Sequence, residues 1–310
     1  MDASRHGAQA QSPGEINDAG ASAIWLRWPS RLPLALLYGV AAAAAVLLRY
    51  VFRYRVQVAR TNMRRCFPQA SAGEINAMLA CYYRQLAQVA VEFVKLATMS
   101  RLDLQRRVRV RNFEPVRAET AAGRSVLLLA AHHCNWEWAL QATALELDVP
   151  LDAAYKPLHG AAANRELLKL RGRFGVRMVA AKKLLRDIAR RRNEVHAIAL
   201  MADQVPVSSG SRHWLKFLGV DTAFYPGPGE IAHMTGYASF FAAMRRVSRG
   251  HYEIEFVPIA AADERLDAEQ FTARYARLVE AQIRAHPADW VWTHRRWKLQ
   301  PPSPELPPQN

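Results

Sequence analysis

Short unbroken apolar runs alternate along this chain with longer stretches in which apolar residues recur every three or four positions. Val126–Ala131 is of the first kind and Val195–Met201 nearly so, interrupted only by His196; both read as buried strands, the first set off by the turn signal Gly123-Arg124-Ser125. Asp152–Tyr155, Ala238–Met244 and Tyr252–Ile259 read as further strands, the last two joined as a hairpin across Ser248-Arg249-Gly250. Arg106, Arg107, Arg109 and Arg111 interleave with Val108 and Val110, which gives a strand with one basic edge. Helical spacing governs the rest. Ser71 and Glu74 make a capping box, and Ala80–Met99 continues as an amphipathic helix with Leu86, Val89, Phe93 and Leu96 on one face. Asn164–Gly175, Glu230–Thr235 and Ala268–Ala285 are further helices. The alternation predicts an α/β domain, a mixed sheet flanked by helices.

Leu32–Leu48 breaks this pattern with 17 residues that carry no charge. That is the short end of what covers a hydrocarbon core, for which about 20 apolar residues are usual. Arg49, Arg53, Arg55, Arg60, Arg64 and Arg65 follow at once, the first of them among Tyr50, Phe52 and Tyr54. Aromatics and arginines in that order suit a headgroup interface, and the positive excess places the domain that follows in the cytoplasm. The organisation expected is a disordered tail over 1–20, a membrane anchor with its basic flank over 21–55, the α/β domain over 56–300 and a proline-rich tail over 301–310. The competing reading of Leu32–Leu48 is a buried helix of the domain.

Composition narrows the partners. With 310 residues, 51% of them hydrophobic, the chain can bury a substantial core, and its net charge of +15 calls for an anionic partner. Lys182, Arg186 and Arg190 fall on one helical face, suited to an acidic protein or anionic lipid. No aromatic residue interleaves that run, which argues against a base-stacking platform and hence against nucleic acid. Cys66, Cys81 and Cys134 are odd in number and widely spaced, so neither a disulfide framework nor a zinc site follows. GxSxG, GxxxxGK and HExxH are all absent, which removes the support for serine-hydrolase, nucleotide-dependent and metalloprotease readings. Gly227-Pro228-Gly229 with Ala232 imitates a dinucleotide fingerprint but lacks the preceding apolar strand, and reads as a turn opening a helix.

The chemistry concentrates where two apolar runs end in polar residues. Val126–Ala131 breaks into His132, His133, Cys134, Asn135, Trp136 and Glu137, with Asn135 as N-cap of the next helix. On a single helix His132 and Glu137 would lie about 140° apart. With His132 on the strand end and Glu137 in the first helical turn, the carboxylate reaches back to the imidazole, giving a general base for a hydroxyl nucleophile. The bland alternative is a histidine hydrogen-bonded at a strand end. Cys134 is a second candidate nucleophile, set against the need for a small residue at a helix start. Val195–Met201 ends likewise, in Asp203 and Gln204.

HHCNWE resembles the His-x-x-Asn-Trp-Glu form of the His-x4-Asp/Glu motif of glycerolipid-type acyltransferases, and more narrowly the bacterial lipid A late acyltransferases. RTNMRRCFP (60–68), Tyr155-Lys156-Pro157, Arg171-Gly172-Arg173, Asp203-Gln204, Phe217 with Gly219, Thr222 and Gly227, and HPADWVWTHRRWK (286–298) resemble further passages of that family in order. The resemblance covers Leu32 to Lys298. It departs at Lys156, where the family has arginine, at His133 and Cys134, and at Val205-Pro206 after Asp203. It implies a glycerolipid-acyltransferase-like fold with an N-terminal membrane helix. It implies transfer of a fatty acyl chain from an acyl carrier protein thioester to a hydroxyl of a lipid A precursor, on the cytoplasmic side of the inner membrane and without cofactor or metal. His132 and Glu137 are then catalytic, helix amides near Asn135 stabilise the oxyanion, and Arg173, Asp203 and Gln204 bind substrate or support the site. The alternatives are the same chemistry on a lysophospholipid or other glycolipid, or a non-catalytic membrane-anchored protein that binds anionic lipid.

Overall fold

The structure, a computed structural model, describes residues 24–206 and 210–301. The tail expected at 1–20, and all but the first residue of that expected at 301–310, lie outside them. The chain opens with four helices: α1 (Ile24–Arg31), α2 (Leu34–Val46, prolonged by a π-turn at Leu47–Val51), α3 (Val56–Cys66) and α4 (Ala72–Lys95). Ser71 and Glu74 form the expected capping box, and from it α4 runs unbroken. The apolar stretch Leu34–Val51 is long and apolar enough to cross a membrane by length and composition. One side of α2 is packed: Leu34, Leu37, Tyr38, Ala41 and Ala45 are buried, and α2 lies along α4. Its other side leaves Leu36, Val40, Val46 and Leu47 exposed.

The sheet is built next. After α5 (Arg101–Arg107) come β1 (Val108–Arg111), α6 (Glu114–Ala121), β2 (Val126–Ala130), α7 (Trp136–Glu146), β3 (Leu151–Tyr155), α8 (Ala161–Arg171), β4 (Val176–Ala180), α9 (Leu184–Arg190) and β5 (Ala197–Met201). A hairpin of β6 (His213–Phe217) and β7 (Val220–Phe224) precedes α10 (Gly227–Thr235), β8 (Ala238–Ser248), β9 (His251–Ala260) and α11 (Ala268–Ala285). Seven strands form one mixed sheet in the order β1-β9-β8-β2-β5-β3-β4. β8, β2, β5, β3 and β4 are parallel, β9 is antiparallel to β8, and β1 is parallel to β9. The expected basic strand is shorter than its arginine run, because Arg106 and Arg107 close α5 and only Arg109 and Arg111 lie on β1.

β2 is central and its alternation sorts the core. Leu127 and Leu129 face one layer with Ile198, Leu200 and Phe241, under α3, α4 and α11. Val126 and Leu128 face the other with Trp138 and Phe240, under α2, α5 and α7. A parallel strand covered on both faces reads as a continuous apolar run, which is why this stretch has no polar alternation. The closing segment is locked inside rather than set at a surface. Trp290, Trp292 and Trp297 are buried, and the Asn62 side-chain amide donates to the carbonyls of Trp292 and His294. Gly229 is explained here too: a Cβ there would lie 2.6 Å from the Ala268 carbonyl oxygen, so glycine lets α10 close on the start of α11.

Candidate active site

The carboxyl ends of β2 and β5 lie side by side, in the crevice where open parallel sheets place their ligands. Their register pairs Ala130 with Met201. Two residues further along each chain stand His132 and Asp203. The Asp203 carboxylate accepts from His132 Nδ1 at 2.7 Å through Oδ1, and from the His132 backbone N–H at 2.9 Å through Oδ2. Trp290 Nε1 donates to the same Oδ2 at 2.9 Å. Asp203 is buried, while the imidazole keeps 23% of its side-chain surface open. Burial by itself would raise the Asp203 carboxyl; the facing imidazole and the three donors outweigh it and hold the group down at about 2. An ionised carboxylate only accepts, so Nδ1 carries a proton towards it.

This differs from the pairing the sequence suggested. Glu137 does not hold His132. It lies in the first turn of α7 and takes Arg171, whose Nε donates at 2.9 Å to Oε2 while Nη2 donates to Oε1. Trp136 Nε1 also donates to Glu137, and the Trp136 ring meets the His132 ring edge-on at 5.3 Å. The carboxylate on the adjacent parallel strand reaches the imidazole first because strand pairing delivers it at the same level. Arg173 lies past the end of α8, exposed, with Nη1 on the Leu96 carbonyl. Among the described residues its side-chain hydrogen bond goes to Leu96 rather than to His132, Glu137 or Asp203; Arg171, two positions earlier, is the arginine at Glu137. Gln204 follows Asp203 and is half-buried.

The turn between β2 and α7 is clamped throughout. Cys134 adopts φ 53°, and its N–H donates to the Asp289 carbonyl at 2.9 Å. The Val291 N–H donates to the His132 carbonyl at 3.1 Å, and His133 bridges to Trp290. Asn135 caps α7 as expected, its Oδ1 accepting the Trp138 N–H at 3.0 Å. The Cys134 thiol is buried, and that burial pushes it well above the ordinary thiol range, which removes it as a nucleophile. His133 is buried as well, bonded through Nε2 to the His286 carbonyl. His294 accepts the Val205 N–H at 3.1 Å, and burial, aided by nearby Arg296, pulls it down to about 4, so it stays neutral. Among the described residues no cluster of metal-ligating side chains forms.

The site is thus a part-exposed histidine held by a buried aspartate at the carboxyl edge of a mixed α/β sheet. The chain's family follows from comparison. Residues 19–299 match the family described as bacterial lipid A biosynthesis acyltransferase, and the chain belongs to it. It is 24% identical over 284 residues to the lipid A biosynthesis palmitoleoyltransferase of Escherichia coli K12, covering 91% of this chain and 90% of that protein. It is 24% identical over 285 residues to the lipid A biosynthesis lauroyltransferase of the same organism, covering 91% of each. Against a lipid A biosynthesis acyltransferase of Haemophilus influenzae the figure is 22% over 238 residues, 76% of this chain and 73% of that one. The chain is an acyltransferase.

Proposed function

We propose that this enzyme moves a fatty acyl chain from an acyl carrier protein thioester to a hydroxyl of a lipid A precursor, with His132 as general base. The observation that carries the reading is the His132–Asp203 pair, in which a part-exposed imidazole meets a buried carboxylate through Nδ1; with that proton on Nδ1, the neutral ring offers Nε2 as base. The acceptor hydroxyl gives its proton to Nε2 as its oxygen attacks the thioester carbonyl carbon. The C–S bond then breaks, and the imidazolium returns the proton to the departing thiolate. Amides in the first turn of α7, near Asn135, stabilise the oxyanion. Glu137 acts one step removed from the base, holding Arg171 beside the site where that guanidinium can meet a phosphate of acceptor or donor. Arg173 and Gln204 serve substrate at the rim. The site needs no cofactor or metal for this sequence of steps.

The names of the relatives support lipid A as acceptor class. The basic face at Lys182 and Arg186 supports an acidic carrier protein, and the exposed side of α2 with its arginines supports attachment to inner-membrane lipids, with the site on the cytoplasmic side. Detergent-solubilised protein, carrier-protein thioesters of several chain lengths and a lipid A precursor test the reading. The acceptor should gain the mass of one acyl group with wild type and none with His132→Ala. Transfer to a lysophospholipid but not to the lipid A precursor would keep the base and replace the acceptor. Unimpaired transfer by His132→Ala would overturn the mechanism.

A further inference from the structure

Behind the catalytic turn lies a carboxylate that the chemistry above does not use. Glu92 sits in the last turns of α4, wholly buried on the helix's packed face. An unpartnered carboxylate there would be costly, yet this one is saturated. Tyr38 of α2 donates to Oε1 at 2.8 Å, and Tyr252 of β9 donates to Oε2 at 2.7 Å. The Asn135 side-chain amide donates to Oε2 at 2.7 Å, and Trp138 Nε1 donates to the Glu92 backbone carbonyl at 3.0 Å. Four elements thus converge on one residue: α2, α4, β9 and the start of α7.

The bond to Asn135 has a directional consequence. Because Glu92 demands a donor, the amide must point its nitrogen at α4 and its oxygen at the Trp138 N–H. That orientation fixes the first turn of α7, three residues after His132 and two before Glu137. Tyr38 extends the chain of contacts to the apolar N-terminal helix, and Gly250 lies so close to the Tyr38 hydroxyl that any Cβ at 250 would collide with it.

We propose that Glu92 is a positioning residue for acyl transfer: through Asn135 it sets the turn that carries His132 and the helix start that carries Glu137, and it keys the apolar helix α2 into that scaffold. The proposal rests on the reading of His132 as base. Its effect is on kcat rather than on KM, since Glu92 touches no substrate.

A polarity exchange tests it. Glu92→Gln alone keeps kcat close to wild type, because a glutamine oxygen can take Asn135 and Tyr252 while its nitrogen faces the Tyr38 hydroxyl, which can accept. Asn135→Asp retains a good N-cap but sets two carboxyl groups against each other in a site whose burial already raises Glu92, so they share a proton until both are ionised, and kcat should fall roughly thirtyfold towards alkaline pH with KM little changed. Combining Glu92→Gln with Asn135→Asp restores a donor opposite an acceptor and should return kcat to within about threefold of Glu92→Gln alone. Thermal unfolding and circular dichroism of each variant separate folding from positioning, and the exchange remains decisive if Glu92→Leu does not fold. A double variant as impaired as Asn135→Asp, or an Asn135→Asp variant with wild-type kcat even towards alkaline pH, overturns the proposal. Wild type inactive on these substrates overturns the reading of donor and acceptor, and the proposal with it.

Discussion

An imidazole held through Nδ1 is a base at Nε2 only while its partner remains a pure acceptor. Asp203→Asn shows what that requirement weighs. Oδ2 already receives two donors, the His132 N–H and Trp290 Nε1–H, so the asparagine oxygen must take that place. Its nitrogen then faces His132 Nδ1, the ring proton moves to Nε2, and the lone pair the acceptor hydroxyl needs is gone. Expected is a fall in kcat of roughly 10³–10⁴-fold with the fold intact, read in single-turnover transfer. The same pair sets an acid limit. Asp203 is held at about 2 in the folded chain, below its unfolded value near 3.9. Its contribution is therefore complete above about pH 4 and is lost as pH falls towards 2, amounting to roughly 2–3 kcal/mol. Denaturant titrations of wild type and Asp203→Asn should diverge above pH 4 and converge towards pH 2; a gap that ignores pH would refute the assignment. His132 and Asp203 were both legible in the chain, each as polar residues ending an apolar run. Their pairing was not, because spacing along the sequence favours Glu137 whereas strand register, a long-range property, delivers Asp203. Arg173 rested on the family resemblance; that Arg171 is the arginine bonded to Glu137 depends on where α8 stops, which spacing does not give.

At the level of elements the period of apolar residues did most of the placing. β2, β3, α4, α11 and the β8–β9 hairpin lie where alternation and helical spacing put them. Glu92 shows where that reading fails, since a charged residue inside the packed stripe of α4 looks like solvated surface until its three donors arrive from distant elements. The β6–β7 hairpin was seen only as a motif; its turn uses Leu218 and Gly219, both at positive φ, as a two-residue hairpin requires. The dinucleotide-like Gly-Pro-Gly opens α10 as expected, but it follows β7 directly, a strand the apolar pattern did not reveal; the structure also supplies a reason for its last glycine. Gly229→Ala should press its Cβ onto the Ala268 backbone, which has no rotamer by which to yield. Expected is a destabilisation of roughly 1–3 kcal/mol, read as a lowered unfolding midpoint, with kcat of the folded fraction preserved because α10 does not touch His132. An unchanged midpoint would mean that α10 and α11 are not packed this closely.

For the molecule as a whole, charge and apolar surface point the same way. On the proposed attachment to anionic lipid, a net charge of +15 favours the headgroups, and the exposed side of α2 offers Leu36 and Val40, 58% and 57% exposed, with Arg53 and Arg55 exposed past the helix end. The opposite side of α2 is committed to α4, through buried alanines and leucines and the Tyr38–Glu92 bond. Lipid can therefore meet this helix from one side only, and α4, with Arg84 and Lys95 on it, goes wherever α2 goes. Two terms then contribute to binding and can be separated. Cosedimentation with vesicles containing phosphatidylglycerol should weaken as salt rises, which removes the electrostatic part. Leu36→Glu combined with Val40→Glu removes the apolar part; withdrawing two such side chains, each worth about 1.5–3 kcal/mol when buried, should cut partitioning by roughly a hundredfold or more at constant salt. Both positions face away from the core, so the unfolding midpoint of the double variant should stay at the wild-type value. Binding unaffected by the two glutamates would place the lipid contact elsewhere on the basic surface. If it were also unaffected by salt, charge would have no part in holding the enzyme at the membrane.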